Sequence, residues 1–497
     1  MNLEIIQQIL SPLKGKKIAL FSLGKSGFGI LKLLSLIDCE IYAWDDDKDT
    51  RETALLQYSE KRLSIVKPEF FQFAELDFFI ISPGINLRAE KFSLLNKKIA
   101  ENKLEVINDI QLFLRIFSSV IKIGITGTNG KSTTTALIHH ILKDLDFDAY
   151  IGGNYGIAIG EVAYDIITNL KNLKELKEKI VVIEISSYQL DSFNPNVLAE
   201  KLDLAVLTNI TKDHIDRHGS FENYILAKEK IFQNQGKEDF AILCVDDEQS
   251  NKVFNRLDNI IKVPVSSEKP QQNGFLVKDG KIFYDEKTIE LGVLEKIPGD
   301  HNRKNIACSF AAVHLLVHSK KIKHIKKSFN RVGAEIIKSI QSFSGLPHRM
   351  EIVANFHGIK FVNDSKATND LSTKQALASF DNIVWLAGGI SKEGGIEVLK
   401  PYANKIRAVI LYGRDKNIFL NQINNWQTGT KILIAETFEQ AFKLAVSQAN
   451  LLVNEGNIHP VVLLSPACAS FDMFKNFEQR GDYFVRLVKE FKKLGYA

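Results

Sequence analysis

The run Thr126 to Thr133, TGTNGKST, sets Gly127 and Gly130 ahead of Lys131, Ser132 and Thr133, directly behind the apolar stretch IKIGI. Backbone N–H groups of such a loop, together with the N-terminus of the helix it opens, can surround phosphates. In that chemistry Lys131 neutralises the β/γ-phosphates of a nucleotide and Ser132 reaches Mg2+. Thr128 and Asn129 complete the cradle. The strict GxxxxGK[ST] spacing is not kept, because position 125 is Ile and the preceding glycine is Gly127.

Other candidate groups also follow apolar runs. Glu184 ends IVVIE, where a carboxylate is either a solvated edge or a ligand for Mg2+, a cation that prefers oxygen. His214 in KDHIDRH, taken alone, reads as a surface loop residue as readily as a ligand, and Lys228 in LAKEK reads as a solvated lysine on a charged helix. In the N-terminal part, LGKSGFG followed by Asp45 is similar to a dinucleotide fingerprint, but Ser26 stands where the second glycine is required. That substitution argues against NAD and leaves room for another nucleotide-like ligand. Cys468 in SPACASFD reads as a small buried residue rather than a nucleophile, and its neighbours Ser465 and Ser470 are better suited to bind a carboxylate.

The elements that must position these groups are strands and crossover helices. Runs such as KKIALF, EIYAW and DFFII, then IKIGIT, IVVIE and LDLAVL, then IKFVN, NIVWLAG and VVLLS alternate with helix-like stretches, the pattern of an α/β protein with parallel sheets. GTNGKST, EISSYQ, TNITKDH, NDSKATN, AGGISK and SPACAS each sit just after a strand, the side of an open sheet where ligands bind. Their distribution over two blocks suggests one cleft between two domains. Ile166 to Ile180, lysine-rich with leucines at helical spacing, is expected to form a solvated surface helix.

A chain of 497 residues exceeds what one core supports and predicts two or three domains. With 45% hydrophobic and 25% charged residues the composition is that of a soluble globular protein. Four cysteines without metal-ligand spacing suggest a reducing compartment, and no secretory leader or long apolar run is visible, so the cytoplasm is the expected location and no membrane insertion is expected. The net charge of +5 comes from dispersed lysines and gives no support to nucleic-acid binding.

Taken together, GITGTNGKST, GGN at Gly152 to Asn154, EISSYQL, TNITKDHIDRHGSF, AKEKIF, GDHNRKNIACS and GLPHRME resemble the Mur ligases, ATP-dependent amino-acid-adding enzymes of peptidoglycan synthesis. The resemblance covers nearly the whole chain. NDSKATN, AGGISK and LLSPACASFDMFKNFEQRGDYF resemble specifically the branch that adds D-glutamate to UDP-N-acetylmuramoyl-L-alanine. It implies three domains: a Rossmann-like UDP-substrate domain over 1–108, a central P-loop ATP-binding domain with a mainly parallel sheet over 109–343, and a Rossmann-like D-glutamate domain over 344–497. It implies an acyl-phosphate intermediate, ATP with two Mg2+ ions, and a monomer.

Position by position, the resemblance assigns Gly127 to Thr133, Asn305, Arg349 and Asp364 to ATP, with Lys131, Glu184, His214 and Lys228 as the catalytic set. Ser132, Glu184, His214 and a carbamylated Lys228 would hold Mg2+. Gly24, Lys25, Ser26, Asp45, Ser82 and Gly84 would hold the UDP end, and Asn154, Ser186 and Gln189 would line the muramoyl part. Lys366, Thr368, Lys392, Ser470, Phe471 and Phe477 would surround D-glutamate. Tyr155 and the run Asp45-Asp46-Asp47 depart from the family pattern, and the segments 166–180 and 274–296 lengthen the chain. Competing readings are a sibling ligase using another amino acid such as L-alanine, a folylpolyglutamate-type ligase, a P-loop switch or motor ATPase, and an NAD-dependent dehydrogenase.

Overall fold

The computed structural model describes residues 2–493 apart from 59–61, 88, 194–200, 285, 293, 295–296, 298, 320, 323–328, 392–394 and 457. Lys392 therefore lies outside the described residues. The chain forms two compact units, Met1–Leu291 with Lys304–Ile340, and Gly292–Arg303 with Gln341–Ala497. Both are α/β.

The first unit contains two sheets. β1 (Lys17–Phe21), β2 (Glu40–Trp44), β3 (Leu63–Ile65), β4 (Phe78–Ile81) and β5 (Glu105–Ile107) pair all in parallel in the order β3-β2-β1-β4-β5. The strand order reverses at β1 and β4, where a ligand crevice is expected at the carboxyl ends.

The second sheet comprises β6 (Ile121–Thr126), β7 (Asp148–Gly153), β8 (Lys179–Glu184), β9 (Leu204–Leu207), β10 (Phe240–Cys244), β11 (Ile261–Ser266), β12 (Phe275–Lys278), β13 (Lys281–Tyr284) and β14 (Lys287–Glu290). Its order is β14-β13-β12-β11-β10-β9-β6-β8-β7. From β7 through β12 neighbours run parallel, and β6, β8 and β9 are buried throughout, as a sheet covered on both faces requires. β12 to β14 add an antiparallel meander that accounts for most of the 274–296 segment. Its edge strand exposes Lys287, Thr288 and Glu290, side chains that discourage pairing with another chain.

The expected surface helix at 166–180 is not there. A helix over Ile159–Asn169 ends within that range, Leu173–Glu178 forms a 3-10 stretch, and β8 has begun at Lys179. Ile166, Ile167, Leu170, Leu176 and Ile180 are buried. The apolar positions that suggested one amphipathic helix are split among three elements, because the strand needs its own continuous apolar run. The helix Ile159–Asn169 crosses the helix Lys25–Leu34 at two glycines, and a Cβ on Gly160 would collide with the backbone of Gly29. This close crossing fixes the first sheet against the second.

In the second unit, β15 (Glu351–Phe356), β16 (Ile359–Asn363), β17 (Ile383–Gly388), β19 (Ile406–Tyr412), β20 (Lys431–Ile434) and β21 (Val461–Leu464) form a sheet of order β15-β16-β21-β17-β19-β20, parallel except for the edge strand β15. A small ladder pairs β18 (Ile390–Ser391) with β22 (Cys468–Ala469), tying AGGIS to SPACAS. The buried Trp385 donates from Nε1 to the Ser465 carbonyl at 2.8 Å, so the core of the sheet holds the loop that follows β21.

Candidate active site

The loop after β6 is pinned on three sides. Gly127 and Gly130 have φ of +149° and +82°, in the left-handed region where glycine is favoured. A Cβ on Gly127 would strike Thr208 Oγ1, and one on Gly130 would strike the Asn305 side chain. The Thr128 and Asn129 amides donate to the Asn209 carbonyl and Oδ1 at 2.9 and 3.0 Å, and Thr208 Oγ1 donates to the Asn129 carbonyl at 2.6 Å. Lys131 folds over the loop and donates to the carbonyls of Gly127 and Thr128 at 2.9 and 2.8 Å. The helix Lys131–Asp144 has Gly130 at its N-cap and no side-chain cap, and a helix N-terminus favours an anion. Ser132 is buried in that turn and Thr133 follows it.

Glu184, at the end of β8, is 1% exposed. Its Oε1 accepts a 2.6 Å hydrogen bond from Asn154 Nδ2, while Oε2 is buried with no hydrogen-bond partner among the described residues. A buried carboxylate oxygen left unpaired is costly unless a cation or donor joins it. Asn154 also donates its amide to the Glu184 carbonyl at 2.9 Å, so the GGN turn after β7 carries the residue that orients this carboxylate.

Lys228, on the helix Phe221–Glu229, is not the solvated lysine its helix suggested; it is 1% exposed. Its Nζ donates to the Gly127 carbonyl at 2.7 Å and lies 4.6 Å from the centre of the Tyr224 ring. Burial, reinforced by the Lys131 charge and opposed by Asp213 and Glu184, holds its pKa well below the usual lysine range. His214 takes φ +52° at the start of the short helix Ile215–His218. Burial lowers its pKa, so it is neutral near pH 7. Its Nδ1 lies 2.8 Å from Tyr188 Oη; the tautomer that donates from Nδ1 leaves Nε2 able to ligate a cation. Among the described residues no group of three or more His, Cys, Asp or Glu is placed to hold a metal ion. The donor set that is present, one orphaned carboxylate oxygen with a hydroxyl and a neutral imidazole, fits a hard cation that completes its shell with phosphate oxygens and water.

Around the first sheet, Gly24, Lys25 and Ser26 follow β1, Asp45 follows β2, and Ser82 and Gly84 follow β4. Lys25 Nζ donates to the Gly156 carbonyl, and Ser82 Oγ to the Ser22 carbonyl at 2.9 Å. Asp45 uses one oxygen for the Leu23 amide at 2.7 Å and the other for the Asp47 amide at 3.0 Å. It fastens two strand-end loops together. Arg51 closes the same loop by donating to the carbonyls of Asp45 and Asp46 and stacking 4.4 Å from the Trp44 ring centre.

Gln189, expected along the substrate, is 2% exposed and turned inward. Its Oε1 accepts from the Ser186 amide and hydroxyl at 3.0 and 3.1 Å, and its Nε2 donates to Asp109 Oδ1 at 3.4 Å. Gln189 thus braces Ser186, whose turn follows Glu184. The buried Asp109 carboxyl also feels the Ser26 hydroxyl, which puts the loop after β1 close to the turn after β8.

In the second unit, Asp364 follows β16 and is nearly buried. Ser465 Oγ and the Met350 amide donate to it at 2.8 and 3.2 Å. Burial pushes its pKa up to about 7 against the pull of Arg349 and Arg480. Lys366 Nζ lies 5.0 Å from the Phe477 ring centre, and the Thr368 amide closes a turn on the Lys366 carbonyl at 2.9 Å. Ser470 is buried and Phe471 is 70% exposed. The Cys468 thiol is buried and pushed up to about 12 by that burial, which keeps it protonated and unreactive.

Four contributors went unread in the sequence. Asp213 Oδ2 lies 3.5 Å from His214 Nε2, and Asp213 adds its charge to the field at Lys228. Tyr224 Oη lies 3.0 Å from Thr128 Oγ1. Arg217 donates to the carbonyls of Pro83 and Ile85, holding the loop of Ser82 and Gly84 beside His214's helix. Arg480 is fully buried behind the loops of Lys366 and Ser470. Asp213 and Arg217 lie in the same polar run as His214, a signal available from sequence; the carbonyl partners of the two arginines are distant in the chain and leave none.

Comparison with known proteins adds to this geometry. Residues 125–313 match the model of the Mur ligase middle domain and residues 348–468 that of the Mur ligase, glutamate ligase domain. The chain is 36% identical over 481 residues to the UDP-N-acetylmuramoylalanine--D-glutamate ligase of Rickettsia prowazekii, covering 96% of this chain and 98% of that one. Among solved structures it is similar to MurF from Acinetobacter baumannii, with a TM-score of 0.58 and 14% identity over 98% of each chain. It is also similar to MurF ligase from Thermotoga maritima in complex with ADP, with a TM-score of 0.53 and 16% identity over 92% of this chain and 96% of that one.

Proposed function

Because the chain belongs to the Mur ligase family, we propose that it is an ATP-dependent ligase that adds D-glutamate to UDP-N-acetylmuramoyl-L-alanine in peptidoglycan precursor synthesis. The enzyme acts in the cytoplasm as a monomer, with functional domains over 1–108, 109–343 and 344–497. No helix among the described residues is long and apolar enough to cross a membrane.

The substrate carboxylate attacks the ATP γ-phosphorus; the bond to the β-bridging oxygen breaks, ADP leaves and an acyl phosphate forms. No base is needed, because the nucleophile is already an anion. Positioning and charge neutralisation do the catalysis. Lys131 leaves its two loop carbonyls for the β/γ-phosphates, and the uncapped first turn receives their oxygens. Asn305, packed on Gly130, bounds the nucleotide; Arg349 and Asp364 reach its adenosine and phosphate portions. The D-glutamate amine then attacks the acyl carbon, loses a proton as the C–N bond forms, and expels phosphate. Lys366 and Lys392 balance the two carboxylates of the incoming amino acid, with Thr368, Ser470, Phe471 and Phe477 around it.

Ser132 and Glu184 would hold one Mg2+ and His214 a second, and the ions would supply charge neutralisation at the transferring phosphoryl group. A carbamate on Lys228, formed when its neutral amine adds CO2 and releases a proton, would give that second ion two oxygens. The buried amine with its depressed pKa supports this. A carbamyl carbon appearing in the NMR spectrum after equilibration with 13C-labelled bicarbonate, and missing in Lys228→Ala, tests it.

The observation that carries the reading is the Glu184 carboxylate, buried at the strand end beside the phosphate loop with one oxygen lacking a partner. The test is phosphate release with ATP, Mg2+ and UDP-N-acetylmuramoyl-L-alanine, adding D-glutamate, L-glutamate, L-alanine or glycine separately. Release confined to D-glutamate is expected. Release with another amino acid would make the chain a sibling ligase, and release with none added a switch ATPase.

A further inference from the structure

Arg480 is, among the described residues, a buried cation without an ion pair. It is 0% exposed, and among the described residues no carboxylate lies within 4.0 Å of its guanidinium to form an ion pair. It also stands in the first turn of the helix Phe477–Lys493, the end whose dipole repels cations. Burying a charge without a counter-charge is costly, and an apolar side chain of similar volume would fill the space without that cost.

Its hydrogen bonds show what it touches. Nε donates to Ser365 Oγ at 3.0 Å, and Nη2 donates to the carbonyls of Ser365 and Cys468 at 2.9 and 3.0 Å. Nη1 and the hydroxyl of Tyr412 are both buried with no well-formed hydrogen bond among the described residues, and the two groups act on each other electrostatically. Ser365 directly precedes Lys366, and Cys468 lies two residues before Ser470. Ser365 Oγ in turn donates to the Phe477 carbonyl at 2.8 Å, closing the helix start onto the same loop. The guanidinium is therefore the buried joint between the two loops and the helix start that carry the amino-acid residues. All its hydrogen-bond acceptors are neutral; the buried carboxyl that feels its charge, Asp364, is pushed up to about 7 by burial and so offsets that charge only in part near neutral pH.

We propose that Arg480 is a positioning residue that also selects an anionic amino acid: its unpaired buried charge makes the pocket of Lys366 and Ser470 favour a dicarboxylate over a neutral amino acid of the same shape. The inference rests on the ligase reading above and deepens it. In a medium that excludes water the field of an unpaired cation is weakly screened and extends beyond its hydrogen-bonding shell. The substrate's second carboxylate, which Lys366 and Lys392 meet directly, adds a counter-charge within that field. A neutral analogue brings none, so the charge discriminates without touching either ligand.

The test compares the wild-type enzyme with Arg480→Gln and Arg480→Lys, all with ATP, Mg2+ and UDP-N-acetylmuramoyl-L-alanine. D-glutamate is the varied substrate, and glutarate and glutaramate, a dianion and its monoanionic amide, are the competing inhibitors. Phosphate release by the wild type with D-glutamate is the first arm; its absence would overturn the ligase reading and with it the proposal that rests on it. Given that release, R480Q is expected to raise KM for D-glutamate at least tenfold with KM for ATP unchanged, and to erase the preference for glutarate over glutaramate. R480K keeps the charge but not the fork, so it is expected to retain the preference while kcat falls. If R480Q does not fold, R480K decides alone, since loss of the glutarate preference in a folded R480K overturns the proposal. So does R480Q that keeps the preference or weakens glutarate and glutaramate equally, which is what a purely structural arginine would do.

Discussion

At the scale of single residues, function and stability pull in opposite directions at two carboxylates. Glu184 keeps one oxygen unpaired in a buried position, and a protein selected for stability alone would not hold a charge there. Glu184→Gln removes the charge and keeps the shape. Thermal denaturation without ligands is expected to show an equal or higher Tm, while phosphate release falls by roughly ten- to a hundredfold, the scale of loss when a group supporting a metal site is removed. A variant that loses stability and keeps activity would remove Glu184 from the site. Asp364 is the second case. Its pKa is pushed up to about 7 from an ordinary 3.8, so between those values the folded protein binds more protons than the unfolded chain. By linkage its contribution to stability falls as pH rises from about 4 to about 7. At about 1.4 kcal/mol per pKa unit the effect is on the order of a few kcal/mol. Urea midpoints at pH 5 and pH 8 should therefore converge in Asp364→Asn relative to wild type, with most of the gain at pH 8.

At the scale of elements, the strands and the polar turns after them were readable because each apolar run is four to seven residues long and ends in its own ligand-bearing turn, as at β6, β8 and β16. The phosphate loop was legible for the same reason: glycine, lysine and hydroxyls are adjacent in the chain. What was not legible depends on distant contacts. Lys228 looks solvated on its own helix, and only the approach of the Gly127 carbonyl and the Tyr224 ring shows it buried. Gln189 reads as a substrate-lining residue, and only the approach of Asp109, first residue of the helix Asp109–Ile116, shows its amide engaged within the protein. The segment 166–180 misled because isoleucines and leucines of three elements happen to follow one helical period. The glycine crossing between the helices Lys25–Leu34 and Ile159–Asn169 belongs to this class too, since neither glycine sits in a turn. Gly160→Ala places a methyl against the Gly29 backbone. Overpacking of this kind costs roughly 1–3 kcal/mol. Because Lys25 reaches the Gly156 carbonyl beside this contact, KM for the sugar nucleotide is expected to rise while KM for ATP stays within twofold or so. Equal changes in both constants would mean that the crossing does not register the UDP loops.

At the scale of the molecule, the chain is two units with separate cores, one built on the two sheets of residues 1–291 and 304–340, the other on the six-stranded sheet that follows. A chain of this kind need not unfold in one step. The phosphate loop, Glu184, Lys228 and Asn305 all belong to the first unit, whereas Lys366, Ser470 and Arg480 belong to the second. A ligand that binds only the folded form stabilises by an amount set by its concentration over its Kd, about 2.7 kcal/mol at a hundredfold excess. Calorimetry is therefore expected to resolve two transitions, with Mg2+ and ADP raising the one that hydrogen exchange assigns to the first unit. D-glutamate alone should raise the other. If ADP lifts both transitions together, nucleotide binding is already shared by the two units before the amino acid arrives, and Arg349 and Asp364 make their contribution at that stage. If it lifts only the first, those two residues act after ADP-type binding, during phosphoryl transfer, and their substitution should lower kcat without changing the affinity for ADP.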